Sequence, residues 1–89
     1  MRNTYTFHYD SGHGWLRVPR RDIDFLGIGK KITSYSYQTK DGKSVFLEED
    51  MDASTFLKEY RLHMGKEPHT KVKNDGDNSP IRSVPSFEN

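Results

Sequence analysis

Residues 12–29 read Gly-His-Gly-Trp-Leu-Arg-Val-Pro-Arg-Arg-Asp-Ile-Asp-Phe-Leu-Gly-Ile-Gly, and this stretch combines the signals of a turn, a strand and a short helix. Its first two glycines can adopt the positive φ of a tight turn, and a strand pattern follows at 15–18. Pro19 ends that strand because it has no N–H, and its fixed φ suits the first turn of a helix. Apolar residues three apart then predict a short helix at 20–26, which glycines terminate.

Alternating side chains predict strands on either side of this stretch. Tyr and Phe alternate with Thr and His at about 3–9, and Ser alternates with Tyr at 32–38. A further strand at 44–47 follows the turn signal Asp41-Gly42. These strands are predicted to pair as two hairpins joined by the short helix.

An amphipathic helix of about three turns is predicted after the acidic run at 48–52, with Asp52 or Ser54 as its N-cap. The predicted fold is therefore α+β: a small antiparallel sheet of two hairpins, a short linking helix and one amphipathic C-terminal helix. The residues expected to supply most of the core are Tyr5, Phe7, Trp15, Val18, Ile23, Leu26, Ile32, Tyr35, Phe46, Phe56, Leu57 and Tyr60.

The compact α+β domain is predicted to cover residues 1–65. Residues 66–89 are rich in Lys, Asp, Asn, Ser and Pro without sustained periodicity, so they are expected to form an extended or disordered tail. Ile81, Val84 and Phe87 recur at three-residue spacing within it. Their spacing leaves open whether the tail docks in a groove.

Composition limits the chain to one small domain, since it has 89 residues, of which 31% are hydrophobic and 30% charged. So small a domain is marginally stable alone, which makes a homodimer a reasonable expectation. The absence of cysteine excludes a disulfide framework and a thiolate zinc site. Apolar runs are too short for a membrane span, and the start lacks the apolar segment of a signal peptide. We therefore expect a cytoplasmic protein that has no membrane partner.

No reaction is indicated by the sequence. The four histidines, His8, His13, His63 and His69, follow no known metal-ligand spacing, so neither a metal nor another cofactor is predicted. Ser11 and His13 are neighbours, but a flexible glycine loop positions a nucleophile and a base poorly. We predict no catalytic residue and no enzymatic activity.

The net charge of +1 conceals a separation of cations and carboxylates along the chain. The side chains predicted to contact a macromolecule, because folding does not require them, are His13, Arg17, Arg20 and Arg21. An alternative acidic contact surface consists of Glu48, Glu49, Asp50 and Asp52, although negative groups at a helix N-terminus also stabilise the helix itself. Trp15, Tyr35 and Tyr37 fit either a core or a base-stacking surface.

Several short stretches resemble those of one group of proteins. These are Tyr-Thr-Phe-His-Tyr-Asp at 5–10, Gly-His-Gly-Trp-Leu-Arg-Val-Pro at 12–19, Leu-Gly-Ile at 26–28, Ser-Tyr-Ser-Tyr-Gln at 34–38, Phe-Leu-Glu-Glu-Asp with Asp-Ala within 46–53, and Pro-Ile-Arg-Ser at 80–83. On these residues the chain resembles a group of small, functionally uncharacterised proteins of bacteriophages and other bacterial mobile elements. The resemblance implies a non-enzymatic accessory or inhibitory protein that binds a host or phage macromolecule in the cytoplasm of the bacterial host.

A second resemblance covers residues 14–48, where a strand, Val-Pro-Arg, a short helix ending in Leu-Gly-Ile and an Asp-Gly hairpin follow one another. This order is similar to that of AbrB-type swapped-hairpin transcription factors, and it implies a DNA-binding dimeric regulator as the alternative function. Arg17, Arg20 and Arg21 are the candidate DNA contacts. The chain departs from the pattern in its extra N-terminal strand, in Lys31 where an acidic residue is usual, and in its added helix.

Overall fold

The computed structural model describes all residues, 1–89, as a mixed five-stranded sheet with two helices. The strands are β1 (Thr4–Tyr9), β2 (Gly14–Pro19), β3 (Tyr37–Gln38), β4 (Ser44–Glu48) and β5 (His69–Asn74). The helices are α1 (Arg20–Leu26) and α2 (Asp52–Met64), and short 3₁₀ helices lie at Gly29–Lys31 and Pro80–Ser83. The protein is α+β, which confirms the predicted class.

The strand order across the sheet is β3-β4-β2-β1-β5. The first four strands pair antiparallel, but β5 pairs parallel with β1, so the sheet is mixed rather than purely antiparallel as predicted. A parallel neighbour requires a crossover connection, and α2 lies in the connection that leads from β4 to β5. The chain thus passes through α2 before it adds β5 beside β1.

The main core lies between the sheet and the two helices. Alternate residues of β1, β2 and β4 face it, and Ile23 of α1 with Phe56 and Tyr60 of α2 cover them. Phe7 and Leu57 are only half-buried, whereas the buried apolar residues absent from the predicted core are Leu16, Ile28, Val45, Leu47, Ala53, Ile81 and Phe87. The helices therefore cover one face of the sheet.

The opposite face carries a smaller core, which the end of the chain covers. We call residues 75–89 the C-terminal segment. Its Ile81 packs on Trp15 and Phe46, and the backbone N–H of Gln38 donates to the carbonyl of Pro85 at 2.9 Å. The sequence predicted an extended or disordered tail from residue 66, but this region contributes β5 and buries Ile81 and Phe87. A few large apolar side chains and buried hydrogen bonds hold it to the sheet.

The predicted strand at 32–38 is wrong for most of its length, since only Tyr37–Gln38 pairs in the sheet. Asp52 Oδ2 accepts hydrogen bonds from the Thr33 N–H at 3.0 Å, the Thr33 hydroxyl at 2.7 Å and the Ser36 hydroxyl at 2.6 Å. These hydrogen bonds to a side chain hold the segment in a turn, so it does not form the ladder of a strand. Tyr35 lies on the outside of the turn and is 76% exposed, so it does not belong to the core as predicted.

The start of α2 also differs from the prediction. Asp52 faces the turn at 33–36 and no side chain of the predicted N-cap residues caps the helix. Glu48 instead accepts hydrogen bonds from the backbone N–H groups of Asp50, Met51 and Asp52 at 2.6–2.8 Å. A carboxylate from the end of β4 thus satisfies the free donors at this helix terminus.

Candidate functional site

A cleft lies beside the smaller core, on the sheet face opposite the helices. One hollow of about 170 Å³ is lined by His13, Trp15, Tyr35, Tyr37, Glu48 and Arg82. A second hollow of about 350 Å³ shares His13, Tyr35 and Glu48 and adds Asp50 and Met51. We call the two together the aromatic cleft. Its walls come from the β1–β2 loop, the turn before β3, the start of α2 and the C-terminal segment.

Asp10 positions the loop that carries His13. Its Oδ1 accepts from the backbone N–H groups of Gly12 and His13, each at 2.9 Å, which closes a local turn. The side chain of Asp10 is fully buried. The sequence prediction did not include this residue among the site residues.

Arg82 joins that loop to the C-terminal segment. Its Nε and Nη2 donate to the two carboxylate oxygens of Asp10 at 2.6 and 2.9 Å, a bidentate pair. The guanidinium holds the pKa of Asp10 well below its usual range, and Asp10 in turn raises the pKa of Arg82. Both groups therefore stay charged, and their role is to hold the cleft together.

The same guanidinium forms part of the cleft wall, since the Arg82 Cζ lies 5.3 Å from the centroid of the Trp15 ring. Trp15 is itself packed edge-on against Tyr37 at 6.3 Å. Sequence reasoning did not select Arg82 because it lies in the region predicted to be a tail. Its one signal was Pro-Ile-Arg-Ser at 80–83, which the resemblance to phage proteins included.

A second polar link fixes the start of the C-terminal segment. The Ser79 hydroxyl donates a hydrogen bond to Asp75 Oδ2 at 2.7 Å. The other carboxylate oxygen, Oδ1, lies 3.3 Å from His8 Nδ1. Burial alone raises the pKa of Asp75, but the bonds from Ser79 and His8 outweigh it and the pKa lies below the ordinary value. Although Ser, His and Asp meet here, the Ser79 hydroxyl donates to Asp75 and not to His8, so the trio lacks the Ser–His hydrogen bond of a catalytic triad. The trio holds the chain in place.

The rim of the aromatic cleft is exposed and acidic. Tyr35 is 76% exposed and Met51 is 59% exposed. Glu49 Oε1 lies 3.6 Å from His13 Nδ1, and Asp50 projects from the surface without an ion-pair partner. Because Asp10 already balances the charge of Arg82, carboxylates dominate the rim.

The structure does not gather the three predicted contact arginines. Arg17 is exposed on the sheet, with its Cζ 5.6 Å from the centroid of the Phe46 ring. Arg20 is stacked on Phe87 at 4.8 Å, whereas Arg21 is 75% exposed on α1. Of the four predicted residues, only His13 lines the cleft.

The predicted acidic surface is divided in the same way. Glu48 and Asp52 are engaged by backbone and hydroxyl donors, as described above. Glu49 and Asp50 are exposed. The acidic surface that a partner can reach therefore consists of the latter two, together with the edge of Glu48 that lines the cleft.

A third hollow, of about 450 Å³, opens beside α1 and is lined by Met1, Arg2, Arg21, Asp22 and Phe25. Its buried carboxylate, Asp22, already accepts the Tyr5 hydroxyl at 2.8 Å. Burial and this bond raise the pKa of Tyr5 above its usual range, so the hydroxyl remains a donor. The pair has a structural explanation, since it ties α1 to β1.

No family model, curated protein or solved structure matches the chain. No three His, Cys, Asp or Glu side chains are grouped so that they could hold a metal ion. None of the helices combines the length and the apolar character that crossing a membrane requires.

Proposed function

We propose that this chain is a small non-enzymatic accessory or inhibitory protein of phage type, which acts by binding another protein through the aromatic cleft. The observation that supports the proposal is the exposure of Tyr35 and Met51 at the mouth of a cleft with fixed walls. Aromatic residues and Met are enriched at protein interfaces, where they supply contact area at low entropic cost. The Asp10–Arg82 pair fixes the walls before a partner arrives, which reduces the ordering cost of binding.

The rim indicates what kind of protein segment fits. Glu49 and Asp50 favour a basic side chain, and the exposed ring of Tyr35 can accept a cation on its face. Met51 offers an adaptable apolar contact beside them. We therefore infer a partner segment in which Lys or Arg stands next to an apolar residue.

The same carboxylates argue against nucleic acid in this cleft. A phosphate backbone approaching Tyr35 and Trp15 would meet Glu48, Glu49 and Asp50, and like charges brought together at an interface are costly. The base-stacking interpretation of these aromatic residues is therefore the weaker one at this site.

A selection from a displayed random-peptide library tests the proposal. The immobilised wild-type protein is expected to enrich peptides with Lys or Arg beside an apolar residue. Against a synthetic copy of such a peptide, Tyr35→Ala and Asp50→Lys are each expected to lower affinity by about tenfold or more, as a contact worth about 1.4 kcal/mol requires.

Phe25→Ala provides the matched control, since Phe25 is 66% exposed on α1, far from the cleft in the fold. Its affinity for the selected peptide should equal that of wild type. The proposal fails if no peptide is enriched, or if Phe25→Ala weakens binding as much as Tyr35→Ala does.

A further inference from the structure

The sheet face opposite the helices is only partly covered by the C-terminal segment, and its open part is basic. The pairing register places Arg17, Thr6 and Lys71 in one row across β2, β1 and β5. The next row contains Trp15, His8 and Lys73. Directly paired residues share a face of the sheet, so Arg17, Lys71 and Lys73 project on the same side. We call these three cations the basic strip.

The positive charges of the basic strip are not paired with carboxylates. All three side chains are exposed, and none takes part in the ion pairs of the molecule. Asp75 follows β5 and is bound to Ser79 and His8. Lys73 acts on Asp75 through its charge alone and more weakly than those two bonds.

The spacing of the strip suits a repeated anion. Neighbouring strands lie about 4.8 Å apart and alternate residues of a strand about 6.6 Å apart. The backbones of Arg17 and Lys71 are therefore roughly 10 Å apart, and those of Lys71 and Lys73 roughly 7 Å. Thr6 places a hydroxyl between the first two. Cations and hydroxyls are the side-chain groups that contact phosphate oxygens.

The chemistry of this face argues against a protein and against a single-stranded nucleic acid as its ligand. The residues beside the strip are Thr4, Thr6, His8 and His69, so it offers no large exposed apolar side chain to anchor a protein. It also has no exposed aromatic ring on which single-stranded bases could stack, because Phe46 is buried beneath Arg17. A duplex presents more charge per unit length to a few cations than a single strand does.

We propose that the basic strip binds the phosphate backbone of duplex DNA without reading its sequence. This site differs from the arginine set that the resemblance to AbrB-type proteins implied, since it shares only Arg17 with it. It is also separate from the aromatic cleft, so either proposal can fail while the other stands.

Fluorescence anisotropy of a labelled 20-base-pair duplex, titrated with the full chain at several KCl concentrations, tests the inference. Binding should be weak and should decline steeply with salt. Each cation removed should reduce the slope of log K against log salt by about 0.9. The double variant Lys71→Ala/Lys73→Ala is expected to lose about 1.8 from that slope, and Arg17→Ala about 0.9.

Lys58→Ala/Lys66→Ala is the matched control, because it removes two exposed lysines outside the strip. Lys71→Gln/Lys73→Gln retains side-chain length, and circular dichroism checks that every variant is folded. The inference is overturned if the duplex does not bind at low salt, or if the control lowers the slope equally. It is also overturned if a single strand binds more tightly than the duplex, or if anionic lipid vesicles displace the duplex at an equal concentration of phosphate.

Discussion

At the scale of single residues, Asp10 has the most consequential position in the molecule. Its carboxylate accepts five hydrogen bonds, from the backbone of residues 12, 13 and 79 and twice from Arg82. It thereby joins the β1–β2 loop to the C-terminal segment across 72 positions of sequence. Burial of a charge is costly unless it is paired and hydrogen-bonded, and this environment supplies both.

The low pKa of Asp10 gives a pH dependence of stability. The pKa of Asp10 is lower in the folded chain than in the unfolded chain, where it is about 3.9. Ionised Asp10 therefore stabilises the folded chain fully above that pH, and this stabilisation is lost as the pH falls below it. The free energy of unfolding in urea, followed by the fluorescence of Trp15, should therefore fall more steeply for wild type than for Asp10→Asn between roughly pH 5 and pH 2.

At pH 7, Asp10→Asn and Arg82→Leu should both be less stable than wild type, because each leaves a charge without its partner. The exposed carboxylate of Asp24 provides the control, and Asp24→Asn should retain the wild-type pH profile. Parallel profiles for wild type and Asp10→Asn would contradict this role for the pair.

At the scale of elements, the region before α2 shows where local sequence patterns mislead. Ser and Tyr alternate at 32–38 as they would in a strand, but two hydroxyls bind Asp52 and bend the chain into a turn. No local pattern reveals this, since Asp52 lies 16 residues from Ser36. The same turn brings Tyr35 to the surface, so the error in the strand also explains the error in the core.

Glu48 and Glu49 are adjacent and chemically alike, yet the structure assigns them different roles. Glu48 accepts three backbone N–H groups at the start of α2, whereas Glu49 is exposed beside His13. Glu48→Gln should therefore lower the free energy of unfolding by about 1 kcal/mol, as loss of helix capping does, and Glu49→Gln by less than about 0.5 kcal/mol. Urea denaturation of the two variants measures this difference, and equal losses would refute the assignment.

At the scale of the whole molecule, β1 follows from alternation, β2 and β4 from the turn and proline signals beside them, and both helices from the spacing of their apolar residues. The strand β5 does not, since all six of its residues are exposed and it carries no hydrophobic pattern. Its place is set by backbone pairing with β1, which sequence composition cannot indicate.

The aromatic cleft could be predicted only in part for the same reason. His13, Trp15, Tyr35 and Tyr37 were singled out from the sequence, but Arg82 and Asp10 were not, since the contact between them joins distant parts of the chain. The predicted arginines are divided between surfaces that face in different directions. A site built from long-range contacts is therefore recognisable only once the fold is known.

The C-terminal segment is a structural layer that covers Trp15 and completes the cleft. The variant Ile81→Asp in the full chain tests this arrangement, because Ile81 is buried against Trp15 and Phe46. We expect the Trp15 emission maximum to move to longer wavelength and Tm to fall by more than about 10 °C.

Ser83→Asp introduces the same charge at an exposed position of the same 3₁₀ helix and should leave both quantities unchanged. A chain shortened to residues 1–78 should show the red-shifted emission of Ile81→Asp. If Ile81→Asp instead keeps the emission maximum and the Tm of wild type, the C-terminal segment does not cover Trp15.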